Sequence, residues 1–217
     1  MIVTIDGPAA AGKSTAARAL ANRLGFDFLD TGAMYRAVTL AAIRRKVPLD
    51  DEKQLGKIAN AVTITLCGGS VLLDGEDVTT AIRDPEVTRA SRHVADSPAV
   101  RARMVTLQRE ACRDGNIVTE GRDQGTVVFP NASVKIFLTA RPEIRASRRQ
   151  QEQAARGQHI PLDQVLADQA DRDRKDASRA IAPMVPASDA VILDTSNLSF
   201  DEVVSALERL VHDARVT

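Results

Sequence analysis

Aromatic residues are scarce in this chain of 217 residues: five Phe, one Tyr and no Trp. Stacking platforms of the kind that hold single-stranded nucleic acid need several exposed rings, which argues against that class. Net charge is absent as well, because 29 Lys plus Arg offset 29 Asp plus Glu. Without a broad basic footprint, any polyanion the chain binds must be small and held locally. The two cysteines, Cys67 and Cys112, have no metal-type spacing, and no disulfide is expected of them. No apolar run approaches the roughly 18 residues that span a bilayer. The opening MIVTID has neither the basic nor the long apolar region of a secretory leader. A cytoplasmic protein with no nucleic-acid or membrane partner is expected, and the ordinary composition makes a monomer the default.

What the chain does have is a globular balance, 44% hydrophobic and 27% charged, with length for one compact domain and inserted subdomains. Short apolar runs alternate with longer helical patterns, the signature of βαβ units around a parallel sheet. Candidate strands lie at residues 2–5, 26–29, 116–120, 134–138 and 190–193. Ser97 followed by Pro98 predicts a helix start, with Val100, Met104, Leu107 and Ala111 on its apolar face and Gly115 as its stop. Ser199 with Glu202 three residues on predicts a capped terminal helix burying Val203, Leu207 and Leu210. Between these, VTITL (62–66), Gly68-Gly69, VLLD and Asp74-Gly75 break the rhythm and predict a small antiparallel insert spanning about 61–90, with Asp84-Pro85 opening another helix. Residues 141–179 are dense in arginine and are expected to be helical, with a mobile tip at Arg156-Gly157.

The most informative segment is GPAAAGKS at residues 7–14, which follows a predicted strand and precedes a predicted helix. Glycine lets the backbone wrap an anion, consecutive N–H groups and the helix N-terminus offer positive dipole, and Lys13 adds a point charge. Gly7, Pro8, Ala9, Ala10, Ala11, Gly12, Lys13, Ser14 and Thr15 are therefore candidate phosphate-binding residues, with the Ser14 hydroxyl available to Mg²⁺. The alternative is a Gly-rich turn with Lys13 merely solvated, and the strand-loop-helix setting argues against it. A guanine motif of the Asn-Lys-x-Asp kind is missing, which disfavours a GTPase.

LDTGAMYR (29–36) and EGRDQGTVVFP (120–130) each follow a predicted strand, where doubly wound folds bind ligands. Arg36 could grip a phosphate bidentately. On spacing alone, Tyr35 as a packing aromatic with Arg36 on the surface remains open, as does a solvated pair for Arg122 and Asp123.

Taken together, TIDGPAAAGKST, LDTGAMYRAVT, the insert, EGRDQGTVVFPNASVKIFLTA and RAIAPMVPASDAVILDTS resemble the bacterial cytidylate kinases, nucleoside monophosphate kinases of the phosphate-loop type. The resemblance covers nearly the whole chain. It implies an α/β fold with a five-stranded parallel sheet flanked by helices, and transfer of the ATP γ-phosphate to CMP or dCMP with Mg²⁺. It implies a core of residues 1–30, 116–140 and 180–217, a nucleotide-binding subdomain at 31–115 carrying the insert, and a lid at about 141–160. Both subdomains are expected to close over substrate and exclude water.

Carried over residue by residue, the resemblance gives Thr31, Tyr35 and Arg36 to the acceptor nucleotide and Arg122 to its phosphate. Ser91, Arg101 and Asp123 would recognise cytosine, and Arg172, Asp176 and Arg179 the ribose and phosphates, with Lys13, Arg122 and Arg179 as the catalytic cations. The acceptor phosphate is already largely anionic at neutral pH, so no strong general base is needed. His93, His159 and His212 have no motif context and are set aside.

Overall fold

The computed structural model describes residues 1–155 and 157–216; of the expected tip at Arg156-Gly157, Arg156 lies outside them. The described residues hold eight strands and eight α-helices, which follow the βα rhythm wherever the sequence alternates apolar runs with amphipathic stretches and depart from it in the antiparallel insert. In chain order they are β1 (Ile2–Asp6), α1 (Lys13–Leu24), β2 (Asp27–Asp30), α2 (Thr31–Arg44) and α3 (Glu52–Ala61). Then come β3 (Ile64–Cys67), β4 (Ser70–Leu73), β5 (Glu76–Asp77), α4 (Pro85–Asp96) and α5 (Pro98–Ala111). The chain ends with β6 (Ile117–Glu120), β7 (Val134–Thr139), α6 (Pro142–Ala154), α7 (Leu162–Ala177), β8 (Val191–Asp194) and α8 (Phe200–Val216).

The chain divides into two compact units, residues 1–28 with 115–217, and residues 29–114. The main sheet has the order β2-β6-β1-β7-β8, with β1 parallel to β6 and β7, and β7 parallel to β8. Val3 and Ile5 of β1, Ile136 and Leu138 of β7, Ala17 and Leu20 of α1, and Leu207 and Val211 of α8 form one fully buried cluster. Apolar β-branched residues on central strands read as continuous runs because both faces are covered. The central place of β1 sets its C-terminal end, and the loop that follows, at the edge where a parallel sheet binds ligands.

In the second unit the insert is a three-stranded antiparallel sheet, β3-β4-β5, turning at Gly68-Gly69 and at Asp74-Gly75. Helix α2 packs on α4 and α3 on α5. Asp84 caps α4 through the Glu86 N–H, with Pro85 in the first turn, as its sequence predicts. Helix α5 starts at Ser97-Pro98 as expected but ends at Ala111, short of Gly115. Its buried face also differs from the apolar reading: Val100 and Met104 are inside, Ala111 is exposed, and Arg101 and Gln108 are buried in its place. An apolar periodicity scan passes over such residues because it counts them as polar. Cys67 is exposed on β3 and Cys112 is buried after α5, both as free thiols.

The capping box at α8 forms as expected, with Ser199 N–H and hydroxyl both donating to Glu202 at 2.8 Å. The arginine-rich stretch folds as α6 and α7, packed on each other.

Gly7 carries the tightest steric constraint in the fold. Its φ of 141° is unfavourable for a side chain, and a Cβ there would lie 2.0 Å from the Leu138 carbonyl oxygen of β7. Gly7→Ala should therefore force loop and strand apart. At the upper end of overpacking costs, about 3 kcal/mol, the thermal midpoint falls by roughly 6–12 °C, and scanning calorimetry against the unaltered chain measures it.

Candidate active site

The loop between β1 and α1 takes its shape from backbone conformations that sequence-local chemistry permits. Gly7 and Gly12 have positive φ, and so does Ala10 at 58°, a left-handed conformation that costs a non-glycine residue about 1–3 kcal/mol. Helix α1 begins at Lys13, directly after Gly12. The Lys13 side chain folds back over its own loop, 5% exposed, and its Nζ donates to the Pro8 carbonyl at 2.7 Å. Burial, reinforced by the Arg122 guanidinium, lowers its ammonium to about 7. An ammonium so poorly solvated gains by meeting an anion. Ser14 Oγ donates to Glu120 Oε1 at 2.9 Å, joining the start of α1 to the end of β6.

After β6 the chain turns through Gly121, Arg122 and Asp123 into one wide helical turn at Gln124–Val128, closed by Val128 N–H and Phe129 N–H five residues back onto Asp123 and Gln124. Asp6 fixes this turn from the end of β1: its two carboxylate oxygens accept from Gln124 N–H at 2.8 Å and Gly125 N–H at 2.7 Å. The Gln124 side chain in turn accepts from the Thr119 hydroxyl at 2.9 Å. Asp123 is thereby held as a buried carboxylate beside the phosphate loop's own strand.

Arg122, Arg172 and Arg179 converge on one carboxylate. Asp176 accepts from Arg122 Nε at 2.9 Å and pairs with Arg179 Nη2 at 2.7 Å, with Arg172 Nε at 4.0 Å. Burial alone would raise the Asp176 carboxyl, but the Arg122 and Arg179 guanidiniums outweigh it and hold it below the usual carboxylate range. Three cations about one anion leave an excess of positive charge suited to phosphate oxygens.

The remaining expected residues belong to the second unit. Thr31 and Tyr35 lie in the first turns of α2, whose N-cap Asp30 accepts from Ala33 N–H and stands 3.5 Å from the Arg36 guanidinium. Ser91, in α4, donates its hydroxyl proton to the Thr88 carbonyl at 2.9 Å, and Arg101 is buried on α5. Ser14, Lys13, Arg122, Asp123, Arg172, Asp176 and Arg179 are thus brought together within the first unit. Thr31, Tyr35, Arg36, Ser91 and Arg101 are distributed over three helices of the second.

Several residues here escaped sequence reasoning. The residue pattern assigns no role to Asp6, Gln124 or Gln169, and it leaves open which of Arg145, Arg148 and Arg149 enters the site. Only the fold shows Arg145 and Gln169 donating to the Ala9 carbonyl, both at 3.1 Å, and Arg148 donating to Thr195. Arg149 instead pairs with Glu152 at the surface. No group of three or more His, Cys, Asp or Glu among the described residues could hold a metal ion. Mg²⁺ carried largely by substrate phosphates needs only one or two protein oxygens, and Ser14 Oγ and Glu120 Oε1, 2.9 Å apart, offer such a pair.

Burial pushes the Asp6 carboxyl up to about 6, although the Gly125 and Gln124 N–H groups pull the other way. Since its ordinary value is 3.8, the folded chain holds this proton more tightly than the unfolded chain does. The resulting stabilisation is complete below about pH 4 and is lost as pH rises through 6, at most about 3 kcal/mol. Urea midpoints should show the unaltered chain losing stability relative to Asp6→Asn between pH 4 and 7; parallel profiles would mean that Asp6 does not titrate in that window.

Comparison with known proteins agrees with this geometry. The family profile described as Cytidylate kinase matches residues 3–213. The cytidylate kinase of Pelotomaculum thermopropionicum is 50% identical over 218 residues, covering 98% of this chain and 96% of its own length. The bifunctional pantoate ligase/cytidylate kinase of Synechococcus sp. is 50% identical over 209 residues, a match spanning 93% of this chain but only 39% of that longer protein. Among solved structures, shikimate kinase from Bacteroides thetaiotaomicron shares the fold, with a TM-score of 0.50, 14% identity and 98% coverage of both chains. The loop of residues 7–14, the turn after β6 and the near-complete match place the chain in the cytidylate kinase family.

Proposed function

We propose that the chain transfers the γ-phosphoryl group of ATP to CMP or dCMP, forming ADP and CDP or dCDP. The observation that carries this reading is Lys13: an ammonium buried within a glycine-turned loop at the head of α1, held on a carbonyl of that loop. Such a group has little to do in a structural turn and much to do beside the β- and γ-phosphates. An oxygen of the acceptor phosphate attacks the γ-phosphorus as the bond to the bridging oxygen breaks, so no proton need move in that step. The work is positioning two polyanions and stabilising spread charge.

In the first unit, Lys13 and the loop N–H groups from residues 9–14 receive the donor phosphates, while Arg122 and Arg179 receive the acceptor phosphate by exchanging it for Asp176. Once released from part of that burden, Asp176 can accept from a sugar hydroxyl, with Arg172 alongside. Ser14 would hold Mg²⁺ beside Glu120, the ion supplying neutralisation of charge on the donor phosphates. In the second unit, Thr31, Tyr35 and Arg36 contact the acceptor nucleotide and Ser91 and Arg101 read its base; Asp123 is the base-reading residue carried by the first unit. Ser91 spends its only proton on the Thr88 carbonyl, so its oxygen is left to accept. Cytosine offers an exocyclic amine donor where uracil has an oxygen, which supports discrimination by hydrogen bonding. Residues 31–115 form the acceptor subdomain and about 141–160 the lid in this reading, and the chain acts as a monomer.

ADP release should be measured with ATP and Mg²⁺, offering CMP, dCMP, UMP, AMP, GMP and dTMP separately at equal concentration. Turnover should be strong with CMP and dCMP; preference for another acceptor would overturn the base-reading set while keeping the kinase. Lys13→Ala should lower turnover by on the order of 10²–10³-fold without unfolding the chain, and near-normal turnover in that variant would refute the role of the loop.

A further inference from the structure

The carbonyl side of the phosphate loop is occupied as deliberately as its N–H side. Ala9 O accepts from two side chains at once, Arg145 Nη1 and Gln169 Nε2, both at 3.1 Å. These donors come from different helices, α6 and α7, and both are buried. The Arg145 guanidinium is itself anchored at three points: Nε donates to the Ala140 carbonyl at 3.0 Å, and Nη1 reaches Asp173 Oδ2 at 2.6 Å in addition to Ala9. One residue earlier in the loop, Pro8 O accepts from Lys13 Nζ.

A trans peptide points its C=O and the following N–H in opposite directions within one rigid plane. Fixing the Ala9 carbonyl toward α6 and α7 therefore fixes the Ala10 N–H in the opposite direction. Ala10 needs such fixing, because its left-handed φ of 58° is unfavourable for a residue with a Cβ and persists only where its surroundings impose it. A flipped Ala9–Ala10 peptide would leave two buried side-chain donors without their acceptor and would turn a cradle N–H into a carbonyl facing phosphate.

We infer that Arg145 and Gln169 are positioning residues for donor-phosphate binding: they brace the Ala9–Ala10 peptide so that the Ala10 N–H is presented to the nucleotide, and Arg145 acts through that backbone rather than on the phosphate itself. Asp173 belongs to the same device, holding the guanidinium in register. The inference rests on the loop being a nucleotide site, as proposed above, and adds the residues that set its shape.

The test uses calorimetric binding of ADP, and separately of CMP, to the full chain and to Gln169→Met and Arg145→Met. Gln169→Met keeps side-chain length and removes one donor, so ADP affinity should fall about 3–10-fold, the worth of one hydrogen bond. Arg145→Met should fall further, by about 10–100-fold, and both should leave CMP affinity within about twofold. The Ala10 amide resonance should move in both variants before ligand is added, a change that a loss of thermal stability alone would not produce. Unchanged ADP affinity in Gln169→Met, with an unmoved Ala10 amide, would overturn the inference. So would an Arg145→Met variant that binds ADP normally but loses turnover 10²–10³-fold, because that pattern belongs to an arginine on the transferring group. Should Arg145→Met fail to fold, Gln169→Met carries the decision by itself. An unaltered chain that binds no ADP would instead fall on the reading of the loop, and the bracing role with it.

Discussion

Residues 7–12 must turn their N–H groups to one side, and a peptide that does so turns its carbonyls to the other. That constraint organises the first unit. The carbonyls of Pro8 and Ala9 are taken up by Lys13, Arg145 and Gln169, and Gly7 is pressed against the backbone of β7. The loop is thus gripped by its own helix, by a neighbouring strand and by two helices more than 130 residues away in sequence. A loop with this many supports is held in one shape, and in the proposed reaction it would meet its phosphates already formed.

Charge is arranged on the same plan. The cations of the first unit are interleaved with acids, Arg122 and Arg179 on Asp176 and Arg145 on Asp173, while the Glu120 carboxylate accepts from the Ser14 hydroxyl. Desolvated charges are tolerable only when paired and hydrogen-bonded, so the zero net charge of the chain has a local counterpart. In the proposed reaction an arriving polyanion would compete with these carboxylates for the guanidiniums. Such an exchange would let the arginines wait in a paired arrangement and still be available to substrate.

Much of this was legible in the residues. Five core strands, the antiparallel insert and the caps at Ser97, Asp84 and Ser199 follow from local chemistry that acts within a few residues, and the fold contains all of them. The phosphate loop is equally local: strand, glycine turn and helix are contiguous. What could not be read is whatever depends on distance through space. Arg145 and Gln169 sit on one carbonyl because α6 and α7 pack together, and nothing in their spacing announces it. The burial of Arg101 and Gln108 was hidden for a different reason, since an amphipathic pattern assigns polar residues to solvent while these two are buried on α5. Asp6 shows the limit in a third form, as a strand-end carboxylate whose partners are backbone N–H groups 118 and 119 residues onward.

The two thiols differ in a way that has practical value. Cys112 is buried, and that burial pushes its thiol up to about 12, so at neutral pH it is both protonated and shielded. Cys67 stands exposed on the small antiparallel sheet of the second unit. The chain therefore carries a single attachment point for a thiol-directed fluorophore or spin label, placed on the insert and remote in sequence from the phosphate loop, without any engineered substitution.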